Sequence, residues 1–220
     1  MRNFAAPENV YVFLPVQRDR SGGHGVEEFL LLRETHHRMA NTLTLLAAQL
    51  WNEFGSSKVP EVRPSLIRFE ARIAAFGRLH RLLAIGASRR PMPVRAYIEE
   101  LSHSLSEAML TPLGIRCEAS ADEGILPSDT CERLGLIIAE LVTNAAKHAF
   151  TGLDGGLVRI GVIRKPGRWL CTISDNGTGI TAPQANSGTG ILDDVAHMIG
   201  GTLMLRSGAN GTSVAITFPS

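Results

Sequence analysis

The sequence lacks an excess of charge of either sign: its 220 residues carry 22 Lys+Arg against 21 Asp+Glu, for a formal net charge of +1. A nearly neutral chain gives no electrostatic reason to bind nucleic acid or an anionic membrane surface. The sequence also lacks a hydrophobic run that approaches the roughly 20 residues needed to span a bilayer. We therefore expect neither nucleic-acid binding nor membrane insertion.

Cysteine is scarce, and the N-terminus has no secretory pattern. The three cysteines, Cys117, Cys131 and Cys171, are scattered and odd in number, which favours reduced core thiols over a disulfide framework or a zinc site. The segment 1–25 lacks the basic-then-apolar order of a signal peptide. What is present, 44% hydrophobic and 20% charged residues, is typical of a globular protein with one or two small domains. We expect a cytoplasmic location.

The stretch 139–150, AELVTNAAKHAF, predicts an amphipathic helix together with the residues just before it. Apolar residues recur at helical spacing and form one face: Leu134, Ile137, Ile138, Leu141 and Ala145. Four polar residues recur at the same spacing on another face: Glu140, Asn144, Lys147 and His148. A soluble helix seldom aligns a carboxylate, an amide, an ammonium and an imidazole unless they serve a polar ligand.

Two glycine-rich clusters follow this helix. The first, 175–179 (DNGTG), comes directly after a strand-like run at 169–174. The second, 188–190 (GTG), opens another helical stretch. Either cluster alone is compatible with an ordinary turn, and the polar helix face alone with a solvated surface, but the three in this order are a strong signal.

These three motifs carry a family resemblance. ELVTNAAKHAF, DNGTGI and GTGIL resemble the N, G1 and G2 boxes of the GHKL ATPases, which include gyrase, the heat-shock chaperone ATPases and bacterial histidine kinases. The resemblance covers residues 93–219 of the chain. It implies an ATP-binding α/β sandwich, with ATP and Mg²⁺ as ligands.

The resemblance also implies roles for the polar helix face. Asn144 would be the Mg²⁺ ligand, since an amide oxygen is a hard ligand and Mg²⁺ takes few protein ligands. Glu140, one turn earlier, would position a metal-bound water or act as a base. Lys147 or His148, one turn later, would meet a phosphate.

The glycine clusters would hold the nucleotide. Asp175 would accept a hydrogen bond from the adenine amino group, assisted by Thr212. Gly177 and Gly179 would let the backbone approach the base. Near the start of the next helix, the backbone amides of two further glycines would face the phosphates: Gly188 and Gly190.

The N-terminal part of the chain has helical periodicity of another kind. Apolar residues and histidines at steps of three and four form a coiled-coil-like seam over 26–54, and a second seam follows the turn 55–64, which contains Gly and Pro. The first seam holds Phe29, Leu32, His36, Met39, Leu43, Leu46, Leu50 and Phe54, and the second holds Leu66, Phe69, Ile73, Phe76, His80 and Leu83. Two such helices form an antiparallel hairpin. Because a lone hairpin cannot bury its seam on both sides, we predict a homodimer.

The first seam separates two adjacent histidines. His36 lies on it, and a count along both helices from the turn places His80 at a similar height, so we expect the two to meet as core histidines. His37 lies about 100° round the helix and is left on the flank of the bundle. Glu34 and Asn41 share its face.

The segment around these histidines, ETHHRMANTL, resembles the dimerisation and phosphotransfer segment of a subfamily of histidine kinases, written E-x-H-H-R-x-K-N. The resemblance implies that His37 is the phosphoacceptor. Glu34 would orient its imidazole or take its proton, and Asn41 would hold a water that hydrolyses the aspartyl phosphate of a partner. Ala40 stands where the pattern has lysine.

These observations predict an α+β fold: a helical-hairpin dimerisation domain, a four-helix bundle in the dimer, precedes a GHKL α/β sandwich. The expected boundaries are 1–25 for an N-terminal segment too short to be a sensor domain, 26–86 for the hairpin and 93–220 for the ATPase-like domain. We expect 86–93 to be a linker that lets the ATPase domain swing onto the bundle. Within the first segment, 10–16 is an apolar run interrupted by Pro15 and predicts an edge strand.

The favoured function is an ATP-dependent protein histidine kinase. It would phosphorylate His37 and pass the phosphoryl group to an aspartate of a response-regulator receiver domain, with input from a separate sensor protein. The alternative is a histidine phosphotransferase adaptor with a kinase-like fold and an inactive ATPase domain, favoured by Ala40 and the short loop 181–187. A third, an anti-sigma-factor serine kinase, leaves the hairpin unexplained. The kinase is favoured by four retained residues: Glu140, Asn144, Asp175 and Gly179.

Overall fold

The computed structural model describes residues 9–12, 24–54, 62–88, 90–179 and 189–220. The helices are α1 (His24–Phe54), α2 (Val62–Leu82), α3 (Val94–Leu105), α4 (Ser128–Asn144) and α5 (Thr189–Met198). The strands are β1 (Asn9–Val12), β2 (Pro91–Pro93), β3 (Ile115–Ala121), β4 (Ile125–Pro127), β5 (Gly156–Lys165), β6 (Arg168–Asp175), β7 (Thr202–Gly208) and β8 (Gly211–Pro219). In these ranges, no helix combines the length and the apolar character that crossing a bilayer requires.

Among the described residues, six strands form a sheet in the order β1-β7-β8-β6-β5-β3, with antiparallel pairs except for β3–β5. Alternate residues of β5, namely Val158, Ile160 and Val162, are buried in one core with apolar residues of α3, α4 and α5. The predicted α+β fold, a helical region followed by an α/β sandwich, is therefore confirmed. The predicted edge strand is present as β1, paired with β7, while residues 13–16 of that prediction lie outside the described ranges.

Helices α1 and α2 approach each other through small residues. Ala40 is 2% exposed, and Gly77 is buried opposite it: a Cβ added to Gly77 would lie 3.9 Å from the Ala40 carbonyl oxygen. Small residues occupy this contact because the distance between packed helices depends on the side chains there, and small ones allow a close approach. Three large residues of the predicted seam are exposed in the single hairpin: Met39 at 45%, Leu46 at 46% and Phe69 at 52%. The burial of the seam in a dimer stays a prediction.

The described residues of the predicted linker at 86–93 lie in or between two short elements beside the sandwich. The linker starts in a tight turn, Ile85–Ser88, and ends in β2, which pairs antiparallel with β4. The end of α2 joins the core of the sandwich through Leu79 and Leu83, which are 4% and 3% exposed. In this arrangement, apolar burial ties the end of α2 to the sandwich. The predicted swing of the ATPase domain onto the bundle stays a prediction.

The three cysteines are free thiols, with Cys131 and Cys171 buried. Burial raises the pKa of Cys171 to about 12. Burial, together with the charge of Asp129, also raises the pKa of Cys131 to about 12. Both thiols therefore stay protonated at neutral pH and behave as core residues, as their scattered positions predict.

One carboxylate is buried beside the turn that follows α2. Glu132 of α4 is 0% exposed, and neither of its carboxylate oxygens meets a hydrogen-bond partner within the described ranges. A Cβ on Gly86 would collide with this carboxylate, so the glycine permits the close packing. Burial raises the pKa of Glu132. The nearby Gly86 amide, which does not reach hydrogen-bond geometry, and the positive charges of Arg33 and Arg133 offset that effect only in part.

Replacing Glu132 with glutamine is expected to stabilise the protein by roughly 1–3 kcal/mol at pH 8, because an unpaired amide costs less to bury than an unpaired carboxylate. Since folding raises the pKa, Glu132 contributes most to stability below its ordinary pKa of 4.5, and this contribution is lost as the pH rises through the folded-state value. The advantage of Glu132→Gln should therefore shrink as the pH falls to 4.

Urea unfolding at pH 4 and pH 8 measures this difference between wild type and Glu132→Gln. The matched control is Glu100→Gln on the exposed face of α3, for which we expect no pH-dependent change. A stability difference for Glu132→Gln that is the same at both pH values would contradict the prediction.

Candidate functional site

The polar face of α4 ends in a π-helical turn, Ala145–Ala149, that continues the helix. Asn144 is half-buried and donates a hydrogen bond from Nδ2 to Oε1 of the exposed Glu140, at 3.2 Å. The Asn144 amide oxygen makes no hydrogen bond within the described part of the chain, so it fits the ligand role for a hard cation. Lys147 and His148 are exposed on the following turn. The end of α4 thus offers a free amide oxygen beside one carboxylate and two basic groups.

Asp175 ends β6 and is held by two backbone amides. Its Oδ1 accepts hydrogen bonds from the amides of Gly177, at 2.9 Å, and Thr212, at 3.2 Å. Burial raises the pKa of Asp175, and these two hydrogen bonds offset the rise in part. Its Oδ2 has no hydrogen-bond partner in the described ranges. A half-buried, oriented carboxylate with one free oxygen fits the predicted acceptor for an adenine amino group.

The loop after Asp175 is braced against neighbouring elements. Asn176 accepts a hydrogen bond at Oδ1 from the Leu157 amide of β5, at 2.7 Å. The Thr178 amide donates to the Ala149 carbonyl oxygen at the end of the π-helical turn, at 2.9 Å. Sequence reasoning missed both contacts: the Asn176 side chain offers a weak signal, because asparagine often caps turns, whereas a backbone acceptor such as Ala149 has none.

Two glycines make this bracing possible. A Cβ on Gly177 would collide with the Ala149 carbonyl oxygen, so any larger residue would separate the loop from the end of α4. Gly179 has φ +72°, and a Cβ there would collide with the Gly208 carbonyl oxygen in the β7–β8 turn. The glycines predicted to admit the nucleotide therefore also join the end of α4, the loop and the β7–β8 turn.

The structure describes only some of the other residues predicted for the nucleotide site. Gly188 and the loop 181–187 lie outside the described residues, whereas Gly190 lies in the first turn of α5. Thr212 meets Asp175 through its backbone amide, and its hydroxyl lies 3.1 Å from the Ser207 hydroxyl. The assisting role predicted for Thr212 therefore starts with its backbone, which orients the Asp175 carboxylate.

The three predicted side chains on α1 are all exposed: Glu34, His37 and Asn41. The Glu34 carboxylate is occupied by Arg38 one turn later, with Oε1 accepting from Nη2 at 2.6 Å and from Nε at 3.0 Å. No hydrogen bond joins Glu34 to His37 among the residues that the structure describes. The structure thus presents His37 on an open flank and gives Glu34 a partner that sequence spacing did not single out.

His36 and His80 meet between α1 and α2, as predicted. Their Nδ1 atoms lie 2.7 Å apart and their ring centroids 4.9 Å apart. Burial, with the neighbouring charges of His80 and His37, lowers the pKa of His36 to about 4. Burial also lowers the pKa of His80. Both rings are therefore neutral at neutral pH.

Two protein-family models match the chain, one over most of the hairpin and one over most of the sandwich. A family model described as histidine kinase matches residues 34–109, which include the exposed His37 and the His36–His80 pair. A second, described as histidine kinase-, DNA gyrase B- and HSP90-like ATPase, matches residues 130–220 and spans Asn144 and Asp175. The chain belongs to the histidine kinase family. The second match identifies residues 130–220, which form most of the sandwich, as an ATPase-type domain.

Individual relatives of the chain agree with that family assignment. Blue-light-activated histidine kinase 2 of Erythrobacter litoralis is 27% identical over 199 residues, which is 86% of this chain and 56% of the relative. Sensor histidine kinase PdtaS of Mycobacterium tuberculosis is 30% identical over 151 residues, which is 68% of this chain and 30% of the relative. The chain thus spans little more than half the length of the first relative and under a third of the second.

A solved structure shows the same architecture. The histidine kinase domain from the blue-light activated histidine kinase of Erythrobacter litoralis EL346 aligns with a TM-score of 0.58 at 25% identity. The alignment covers 89% of this chain and 94% of that chain. The hairpin followed by the sandwich is therefore a histidine kinase arrangement.

Proposed function

We propose that this chain is an ATP-dependent protein histidine kinase that phosphorylates His37 and then passes the phosphoryl group to an aspartate of a response-regulator receiver domain. The observation that carries the proposal is the pairing of an exposed histidine on the hairpin with an oriented acceptor carboxylate, Asp175, in the sandwich. A phosphotransferase adaptor that does not use ATP has no need of that second feature.

In the nucleotide step, the chain positions its substrate through three groups. The free Oδ2 of Asp175 accepts from the adenine amino group. The Asn144 amide oxygen would help to hold Mg²⁺, which would screen the phosphate charges when bound. Lys147 and His148, exposed one turn later, would meet the phosphates. Glu140 is held next to Asn144 by their 3.2 Å hydrogen bond and would orient a water or act as a base.

In the transfer step, a neutral nitrogen of His37 attacks the γ-phosphorus, a new P–N bond forms and ADP leaves with the electron pair of the broken P–O bond. The imidazole proton goes to solvent or to Glu34, which must first release Arg38. Because positioning and charge screening dominate phosphoryl transfer, an exposed imidazole is sufficient as the nucleophile. Asn41, exposed one turn further along α1, then faces the receiver domain and its aspartyl phosphate.

The exposed apolar surface of the hairpin supports a homodimer. Six large side chains of α1 and α2 are exposed: Leu31, Met39, Leu45, Leu46, Ile67 and Phe69. Apolar surface of this extent on two adjacent helices favours burial against a second copy. A four-helix bundle would cover these residues and leave His37 on its flank. Input would come from a sensor outside the described residues.

The test is incubation with Mg²⁺ and γ-labelled ATP of the wild type, His37→Gln, Asn144→Ala and the control His103→Gln, an exposed histidine on α3. We expect base-stable, acid-labile label on the wild type and the control. Labelling should fall at least roughly 100-fold in His37→Gln, which lacks the acceptor, and in Asn144→Ala, which lacks the proposed metal ligand. An unlabelled wild type that still accepts phosphate from a phosphorylated receiver would overturn the kinase and establish the adaptor.

A further inference from the structure

The two histidines that join α1 and α2 are linked by a hydrogen bond, not merely packed together. Their Nδ1 atoms lie 2.7 Å apart, within hydrogen-bond distance, and the ring planes are tilted by 37°. Among the side chains that the structure describes on α1 and α2, this is the one hydrogen bond that crosses between the helices. The bond lies at the height of His37, the next residue along α1.

The chemistry of this bond requires one particular arrangement of protons. Two Nδ1 atoms can bond only if one ring carries its proton on Nδ1 and the other ring carries its proton on Nε2. Both rings are neutral at neutral pH, because burial lowers both pKa values and the charges of His80 on α2 and His37 on α1 lower that of His36 further. The hydrogen bond is therefore intact at neutral pH. Protonation of both rings at acid pH would break it, because neither Nδ1 could then accept.

Small residues make the next contact between α1 and α2. One turn along α1, Ala40 is buried opposite Gly77, so neither residue contributes a large side chain that interlocks the helices. A side-chain hydrogen bond adds a directional constraint at this point, because rotation of α1 would pull the two nitrogens apart.

We propose that His80 is a positioning residue for His37: by bonding to His36, it sets the rotation of α1 that presents the neighbouring His37 on the open flank. This rests on the proposed function, since it concerns the nucleophile of the same reaction. Successive helical residues lie about 100° apart, so a ring of His36 held inward against α2 directs His37 outward.

The functional test compares His80→Leu, which removes the hydrogen bond but keeps an apolar side chain, with His80→Gln, which keeps an amide donor and acceptor. We expect His80→Leu to lower kcat for autophosphorylation about tenfold with KM for ATP unchanged, because the nucleotide site is untouched. His80→Gln should recover most of that loss. All proteins are assayed at a temperature where circular dichroism shows them folded. A purely structural role would lower the melting temperature of His80→Leu but leave kcat unchanged, and that outcome would overturn the proposal.

A spectroscopic test is independent of kinase activity. In ¹⁵N-histidine-labelled wild type at pH 7, nuclear magnetic resonance should show a nitrogen–nitrogen coupling across the Nδ1–Nδ1 hydrogen bond, which disappears in His80→Leu. The pKa of His36, about 4 in the wild type, should rise in His80→Gln because a neighbouring ionisable ring is gone. Absence of the coupling in the wild type would overturn the positioning role. A wild type with the coupling but no phosphorylation would overturn the proposed function, and the positioning role with it.

Discussion

Asp175→Asn is expected to weaken ATP binding by at least about 100-fold, which corresponds to about 3 kcal/mol. The Oδ1 of Asp175 already accepts from the Gly177 and Thr212 amides, and the free Oδ2 is the acceptor left for the adenine amino group. Asparagine keeps the shape but replaces one oxygen with an NH₂ donor. That NH₂ group must face either the two backbone amides or the adenine amino group. In each orientation two hydrogen-bond donors face each other and one hydrogen bond to the nucleotide or the backbone is lost.

Isothermal titration calorimetry with a non-hydrolysable ATP analogue and Mg²⁺ measures this effect directly. Asp154→Asn is the matched control, because Asp154 is exposed and outside the proposed site, and its affinity should equal that of the wild type. An Asp175→Asn protein that binds the analogue within threefold of the wild type would show that Asp175 does not contact the base.

Ala40→Lys is expected to destabilise the protein by roughly 2–3 kcal/mol and to leave phosphorylation no higher than in the wild type. The related kinase pattern has lysine here, so the substitution would restore the pattern if this position faced the phosphoacceptor. Ala40 is instead 2% exposed and packs against Gly77. A lysine there must separate α1 from α2 or bury part of its charged side chain, and overpacking and unpaired burial both oppose folding.

Thermal unfolding followed by circular dichroism tests the stability effect, and the labelling reaction tests activity. Ala48→Lys, at an exposed position of the same helix, should change the melting temperature little. If Ala40→Lys were as stable as the wild type and labelled faster, Ala40 would have to face the site of phosphorylation and not the helix interface.

The predicted seam does not separate the contacts inside the hairpin from those between subunits. A hairpin that dimerises has two apolar faces, one between its own helices and one between subunits, and both follow the same steps of three and four. Periodicity therefore finds apolar residues without saying which contact each one makes. Met39 of the predicted seam is 45% exposed in the single hairpin, whereas its neighbour Ala40 is buried where α1 and α2 approach closely.

The sequence did not predict the tight turn Ile85–Ser88, the strand β2 or the buried Glu132, because each depends on contacts between distant segments. Glycine and proline at 86–93 are typical of a flexible connection, but the same residues suit a tight turn followed by an edge strand. Gly86 fits against Glu132 because two segments far apart in sequence pack together, and no local pattern carries that information.

The sequence by itself predicted the α+β class and the order of hairpin and sandwich, and its resemblance to the GHKL boxes implied roles for Asn144 and Asp175 that stay predictions. The class and the order follow from local spacing, since helical periodicity and short turns involve residues within a few positions of one another. Only the tertiary structure decided which apolar face closes the hairpin, how the loop after Asp175 is braced by Leu157 and Ala149, and which nitrogens join His36 to His80. Those outcomes depend on packing distances between distant segments, which close-packed interiors set to within fractions of an ångström.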